Sequence, residues 1–205
     1  MKVQEPAAAS LRPLWGMLSA LGGFLALQAV ALWHAGVFEY PLDDVYIHLA
    51  MAEKIAAGTY GVNAGEPASA ASSILYPFLL LPVPGTEIQR LLPLFWNALS
   101  VAGSGWVWGR IADAAGLAGA AGAATIVAGP VLLNISGGGY TGMEAAPHLL
   151  ASLLVVLGLW RAVNGQGAAW WLVAAAILGP LLRYEGLALT LAAAAALWLW
   201  GHRGA

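Results

Sequence analysis

Two adjacent carboxylates, Asp43 and Asp44, stand in "YPLDDVYIHLAMAEKIAAG" directly after a hydrophobic run, in a chain with only 9% charged residues. An aspartate at an aqueous surface is ionised, and beside a hydroxyl it can act as a general base. The plainer reading is helix capping, worth about 1 kcal/mol, for which a single aspartate suffices. Further along, "RYEG" places Arg183 and Glu185 between two apolar runs, and "SGGGYTGME" ends on Glu144. Ionisable groups among membrane segments are costly, which makes them functional candidates by default. The planar fork of Arg183 matches phosphate oxygens and keeps its proton. With a phosphate as leaving group no strong general acid is required, so one carboxylate and one such cation are enough. The competing readings are a structural Arg183–Glu185 ion pair in a tight turn and a helix-dipole role for Glu144.

Other chemistries find less support. Gly137, Gly138, Gly139 and Gly142 lack the lysine and hydroxyl spacing of a phosphate-binding loop, and suit a tight turn that carries Glu144. His34, His48, His148 and His202 have no metal-ligand spacing, and there is no cysteine. No cofactor or metal ligand set is assigned, and a divalent metal is left open. From Asp44 a helix is expected to run to Gly58, with Asp44 and His48 on one face and Val45, Leu49, Ala52 and Ala56 on another. It is expected to lie along the membrane surface.

The elements that must position these groups are read from hydropathy. The chain is 60% hydrophobic with a mean hydropathy of +0.77, against roughly 25% charged residues in soluble domains. It reads as an all-α, polytopic transmembrane bundle, because the alternation of a β-barrel is absent. About six spans are expected: Leu14–Trp33 (a retained signal-anchor), Leu91–Gly109, Gly116–Ile135, Ala145–Trp160, Ala168–Leu182 and Leu187–Trp200. Ser72–Gly85, interrupted by three prolines, is expected as a short interfacial helix. "AGLAGAAGAA", residues 115–124, reads as a surface for close helix packing. The ten tryptophans near span ends read as interfacial anchors.

Residues 1–205 are thus one membrane domain, and charge suggests its orientation. Lys2, Arg12, Arg110, Arg161 and Arg203 fall on one side with Glu5 and Asp113; Lys54, Arg90, Arg183 and the remaining eight acidic residues fall on the other. The positive-inside rule then puts both termini in the cytoplasm of an inner (cell) membrane protein. The outer connections are loop 1, about 35–90, loop 2, about 136–144, and a turn at about 183–186. The candidate residues converge on that face.

Three stretches in this order, "DDVYIHLAMAEKIAAGTYGVNAGEPASAASSILYPFLLLP", "TGMEAAPHLLASLL" and "LLRYEGLALTL", resemble the N-terminal membrane module of GT-C-type glycosyltransferases, which use polyprenyl-phosphate sugars. The resemblance implies an inverting transfer to an acceptor hydroxyl at the outer face, with Asp43 as base, Asp44 as its alternate, and Glu144 as a further catalytic group. Tyr46, His48, Asn63, Glu66, Arg183 and Glu185 are the implied substrate-binding positions. Tyr184 stands where many relatives have proline, and Leu49–Ala50 where a basic residue is common. Family members usually continue for further spans, and often an outer domain, so the resemblance covers the catalytic-looking half. The implied partners are a polyprenyl-phosphate sugar, membrane lipid, and other membrane subunits completing a split assembly. The alternative is a non-catalytic accessory or structural subunit derived from the same fold.

Overall fold

The structure is a computed structural model that describes residues 10–63 and 65–201. Lys2, Glu5, His202 and Arg203, used in the readings above, lie outside the described residues. The chain is 71% helix, with no strand among the described residues. Helix α1 (Arg12–Ala35) carries Pro13 in its first turn, where a missing N–H is tolerated, and ends at Gly36 in the left-handed region. Then follow α2 (Asp44–Ala56), the single turn α3 (Tyr76–Leu79) and α4 (Leu92–Ala114). The second half holds α5 (Gly119–Leu132), α6 (Ile135–Tyr140), α7 (Ala145–Arg161), α8 (Trp170–Leu182) and α9 (Gly186–Leu199).

Three helical segments are long and apolar enough to cross a membrane: Arg12–Ala35, Gly119–Tyr140 and Ala145–Gln166. α4 matches them in length, but Asn97, Ser100, Ser104, Arg110 and Asp113 dilute its apolar character. α8 and α9 are apolar but have only 13 and 14 residues, a rise of roughly 20 Å each. The expected number of about six spans is therefore met for three.

α1 and α4 pack antiparallel over their whole length, and the sequence explains how closely. A Cβ on Gly16 would strike the carbonyl of Gly105, a Cβ on Gly105 would strike that of Gly16, and Gly109 abuts Pro13. Small residues at such a crossing let two backbones approach and gain dispersion contact. This corrects the expectation for residues 115–124, of which only Gly122 is buried. Above the crossing, Ala20, Phe24, Val101, Ile135 and Ala146 form a core shared by α1, α4, α6 and α7. A further core of Val155, Leu172, Ala175 and Ala193 joins α7, α8 and α9. Pro180 cannot donate to the carbonyl of Ala176; Thr190 of α9 donates to it instead, at 2.6 Å.

Two loop expectations change. The glycine run counted in outer loop 2 is helical over 135–140, leaving a turn of 141–144. In the proline-rich stretch Ser72–Gly85 only the turn Tyr76–Leu79 is helical. Because α1/α4, α7/α8 and α8/α9 run antiparallel, segment 36–91, turn 141–144 and turn 183–185 collect at one end of the bundle. There Tyr40, Val45, Leu49, Ala52, Tyr76, Leu80 and Met143 form a third core beneath α2. At the opposite end Arg12 pairs with Asp113 at 3.1 Å.

Candidate functional site

Glu144 is the centre of a cluster at the loop-rich end. It is fully buried at the start of α7. Its Oε1 accepts hydrogen bonds from Ser72 Oγ at 2.8 Å and from Arg183 at 3.0 Å. Its Oε2 lies 3.0 Å from Nε2 of the buried His48, at ion-pair distance but without hydrogen-bond alignment. Arg183 reaches outward to Glu185 at 3.1 Å. One carboxylate therefore ties together α2, the segment before α3, α7 and the α8–α9 turn. Burial pushes the Glu144 carboxyl up; His48 and Ser72 outweigh it and hold the group below its ordinary range. The bond to Glu185 raises Arg183 while burial works against it, and Arg183 in turn lowers Glu185.

The scaffold of this cluster is built from phenols and one amide. Tyr76 donates to the carbonyl of Gly142 at 2.7 Å and accepts from the buried Asn97 of α4 at 2.9 Å. Its edge also meets the His48 ring, with centroids 5.2 Å apart. Tyr40 donates to the Arg90 carbonyl at 2.6 Å and packs its ring over Gly142. Gly142 has φ 78, a conformation glycine adopts without strain, and a Cβ there would enter the Tyr40 ring. Burial keeps both phenols protonated by raising their pKa values. The segment before α3 is itself anchored: Leu75 N–H and Ser73 Oγ donate to the Leu181 carbonyl at 2.9 and 3.2 Å. They satisfy an orphan acceptor at the end of α8.

His48, Glu144, Arg183 and Glu185 are thus brought together, whereas the other candidate positions stand apart. Asp43 and Asp44 are exposed at the start of α2, and among the described residues their carboxylates make no hydrogen bond or ion pair. Side-chain capping, the plainer reading of the pair, is not realised. Nor does Asp44 share an environment with His48: Asp44 faces solvent while His48 is buried with Val45, Leu49 and Ala52. Asp44 is one turn from His48, an axial rise of roughly 6 Å. Tyr46 OH accepts from the Tyr40 N–H at 3.2 Å. Asn63 donates to Glu66 at 3.0 Å within an exposed turn. Sequence reasoning missed Tyr40, Tyr76 and Asn97 as supports; an amide within an apolar run was the available signal for Asn97.

Ser72, His48 and Glu144 hold the residue types of a hydrolytic triad but not its geometry. In a triad the acid holds one ring nitrogen and the nucleophile the other. Here Ser72 and Glu144 both approach Nε2, at 3.5 and 3.0 Å, and buried Nδ1 has no partner. Among the described residues no three His, Asp or Glu side chains are grouped to hold a metal ion. Glu144 is buried, with Oε1 accepting two hydrogen bonds and Oε2 at ion-pair distance from His48, so its geometry suits positioning; Asp43 and Asp44, like Glu39 and Glu53, are exposed and carry carboxylates with no hydrogen bond or ion pair among the described residues. Compared with protein-family models, with curated proteins and with solved structures, the chain matches none.

Proposed function

We propose that this chain is a GT-C-like membrane glycosyltransferase, moving a sugar from a polyprenyl-phosphate donor to an acceptor hydroxyl with inversion. The observation that carries the reading is the pairing of two aspartates, unengaged among the described residues, with a network of buried His48 and Glu144 and part-exposed Arg183 at the same end of the helices. Asp43, or Asp44 in its place, takes the hydroxyl proton. The acceptor oxygen bonds to the anomeric carbon as the bond from that carbon to the phosphate oxygen breaks, and the phosphate leaves with the electron pair. Arg183, whose side chain is 30% exposed, faces the developing phosphate charge. Glu144 holds Arg183 in place and is a positioning residue. Tyr46, Asn63, Glu66 and Glu185 contribute polar contacts to the sugar and acceptor.

The same reading makes α4, α8 and α9 complete six crossings, with both termini cytoplasmic and the cluster at the outer face. Arg12, Arg110 and Arg161 on the opposite side support that orientation. Replacing Asp43 by Asn is expected to abolish transfer from a polyprenyl-phosphate sugar in membranes while helicity and insertion are retained; undiminished transfer refutes the role. An accessory, non-catalytic role is the second reading, supported by a fully buried Glu144 whose Oε1 is spent on Ser72 and Arg183. It prevails if neutralising Asp43, Asp44 and Arg183 together leaves the activity of any complex that contains the chain unchanged.

A further inference from the structure

Two adjoining cavities flank the C-terminal half of α1, the first between α1 and α4 and the second between the end of α1, the segment that follows it and Tyr140. The first, about 530 Å³, is apolar, lined by Phe24, Leu25, Ala29, Leu94 and Phe95 among others, with Gln28 as its polar side chain. The second, about 390 Å³, shares Gln28, Leu32 and Phe38 with it and ends at His34, Glu39, Tyr40 and Tyr140. Leu25 and Phe95 are more than half exposed, so the apolar part opens sideways. From Phe24 to Leu32 it spans roughly 12 Å of helix, room for a hydrocarbon chain. Gln28 is half-buried on a membrane-length helix, and its amide has no hydrogen-bond partner among the described residues. Such an amide is costly in hydrocarbon and is satisfied by a ligand that both donates and accepts.

The polar end selects against phosphate. Beside the phenols of Tyr40 and Tyr140, Glu39 and His34 are its ionisable lining groups, and neither Lys nor Arg contributes. Arg90 comes near through the Phe38 carbonyl at 3.5 Å, but it pairs with Glu87 at 2.8 Å and lines a different cavity beside Tyr46. A carboxylate and a free amide bind hydroxyl groups. We propose that this groove takes a membrane lipid with an uncharged, hydroxyl-rich head group, its chain between α1 and α4 and its hydroxyls on Glu39 and Gln28. Pro41 lines the same cavity, and Asp43 follows two residues later. That the bound lipid is the acceptor rests on the transferase reading; that it binds does not.

The test uses the full chain in phosphatidylcholine nanodiscs. A fluorescent monoglycosyl diacylglycerol is titrated against phosphatidic acid of the same chains, with soluble maltose as the chain-free control. The glycolipid is expected to bind saturably and in preference to both. Gln28→Leu weakens it ~5- to 10-fold, the loss of one hydrogen bond, and Ala29→Trp, at an exposed groove position, abolishes it. Glu39→Lys shifts preference toward phosphatidic acid. Tighter binding of phosphatidic acid by the unaltered chain overturns the proposal, as does equal binding of maltose, or glycolipid affinity unchanged by both Gln28→Leu and Ala29→Trp. When a polyprenyl-phosphate sugar is added to the same nanodiscs, saturable glycolipid binding without any sugar transfer refutes the bound lipid as acceptor and leaves the lipid site standing.

Discussion

Replacing Glu144 by alanine tests whether one buried carboxylate holds the loop-rich end together. The substitution removes the acceptor of Ser72 and of Arg183 and leaves His48 buried with neither ring nitrogen engaged by an acid. Breaking a buried pair by deleting one member costs about 3–5 kcal/mol. Arg183 keeps Glu185 and is partly exposed, which places the loss near the lower end, about 3 kcal/mol. For a chain of this size about 2–4 °C accompanies each kcal/mol, so the melting temperature should fall by about 6–12 °C. Glu144→Gln keeps volume and one acceptor but loses the charge, and should cost about half as much. Circular dichroism melting of the detergent-solubilised chain reads both. A fall of less than about 2 °C for the alanine variant, or equal falls for the two, would refute the claim that this charge organises the end. The sign with pH follows from the depressed carboxyl. Its unfolded value is about 4.3, so the stabilisation is fully present above that pH and is lost as pH falls through the lower folded value. The glutamine variant should lack this component of the acid transition.

Gly142→Ala should cost about 1–3 kcal/mol, from the left-handed backbone and the Tyr40 ring together, and a Tyr40→Leu background should recover part of it in the same melting assay. Gly105→Leu should drive α1 and α4 apart; loss of protease resistance in membranes checks it, and wild-type resistance contradicts the close crossing. Thr190→Val should lower stability by about 1 kcal/mol by orphaning the Ala176 carbonyl, read from the melting temperature.

Much of the helical layout is visible in hydropathy, since α1 and α7 begin and end within two residues of the apolar runs that announce them. α4 runs five residues past its run because Arg110 and Asp113, which look like a boundary, lie on a continuing helix, with Asp113 pairing Arg12. Residues 135–140 are helical against the low propensity of three glycines. Packing explains why: Gly139 lies against Val101 and Phe24, and Gly137 against Asn134. Of the site, His48, Glu144, Arg183 and Glu185 stand out singly as polar residues among apolar ones. Their partnership is hidden, because the contacts join positions 96 and 39 residues apart in the chain (144 − 48 and 183 − 144). Tyr40 and Tyr76 are hidden differently: an aromatic near a span end looks like an interfacial anchor, and only its hydroxyl partners reveal a strut.

The brevity of α8 and α9 bears on the membrane itself. α1, with 24 residues, rises roughly 36 Å, while the α8–α9 hairpin rises roughly 20 Å, against a hydrocarbon thickness of about 30 Å. In the six-crossing arrangement this difference is a hydrophobic mismatch confined to one flank, relieved by local thinning of the bilayer. That arrangement would draw lipid head groups on that flank inward, toward the level of the turn that carries Arg183. Under the proposed transferase function, a polyprenyl phosphate diffusing in the leaflet would then meet the guanidinium at its own depth, without being lifted out of the hydrocarbon.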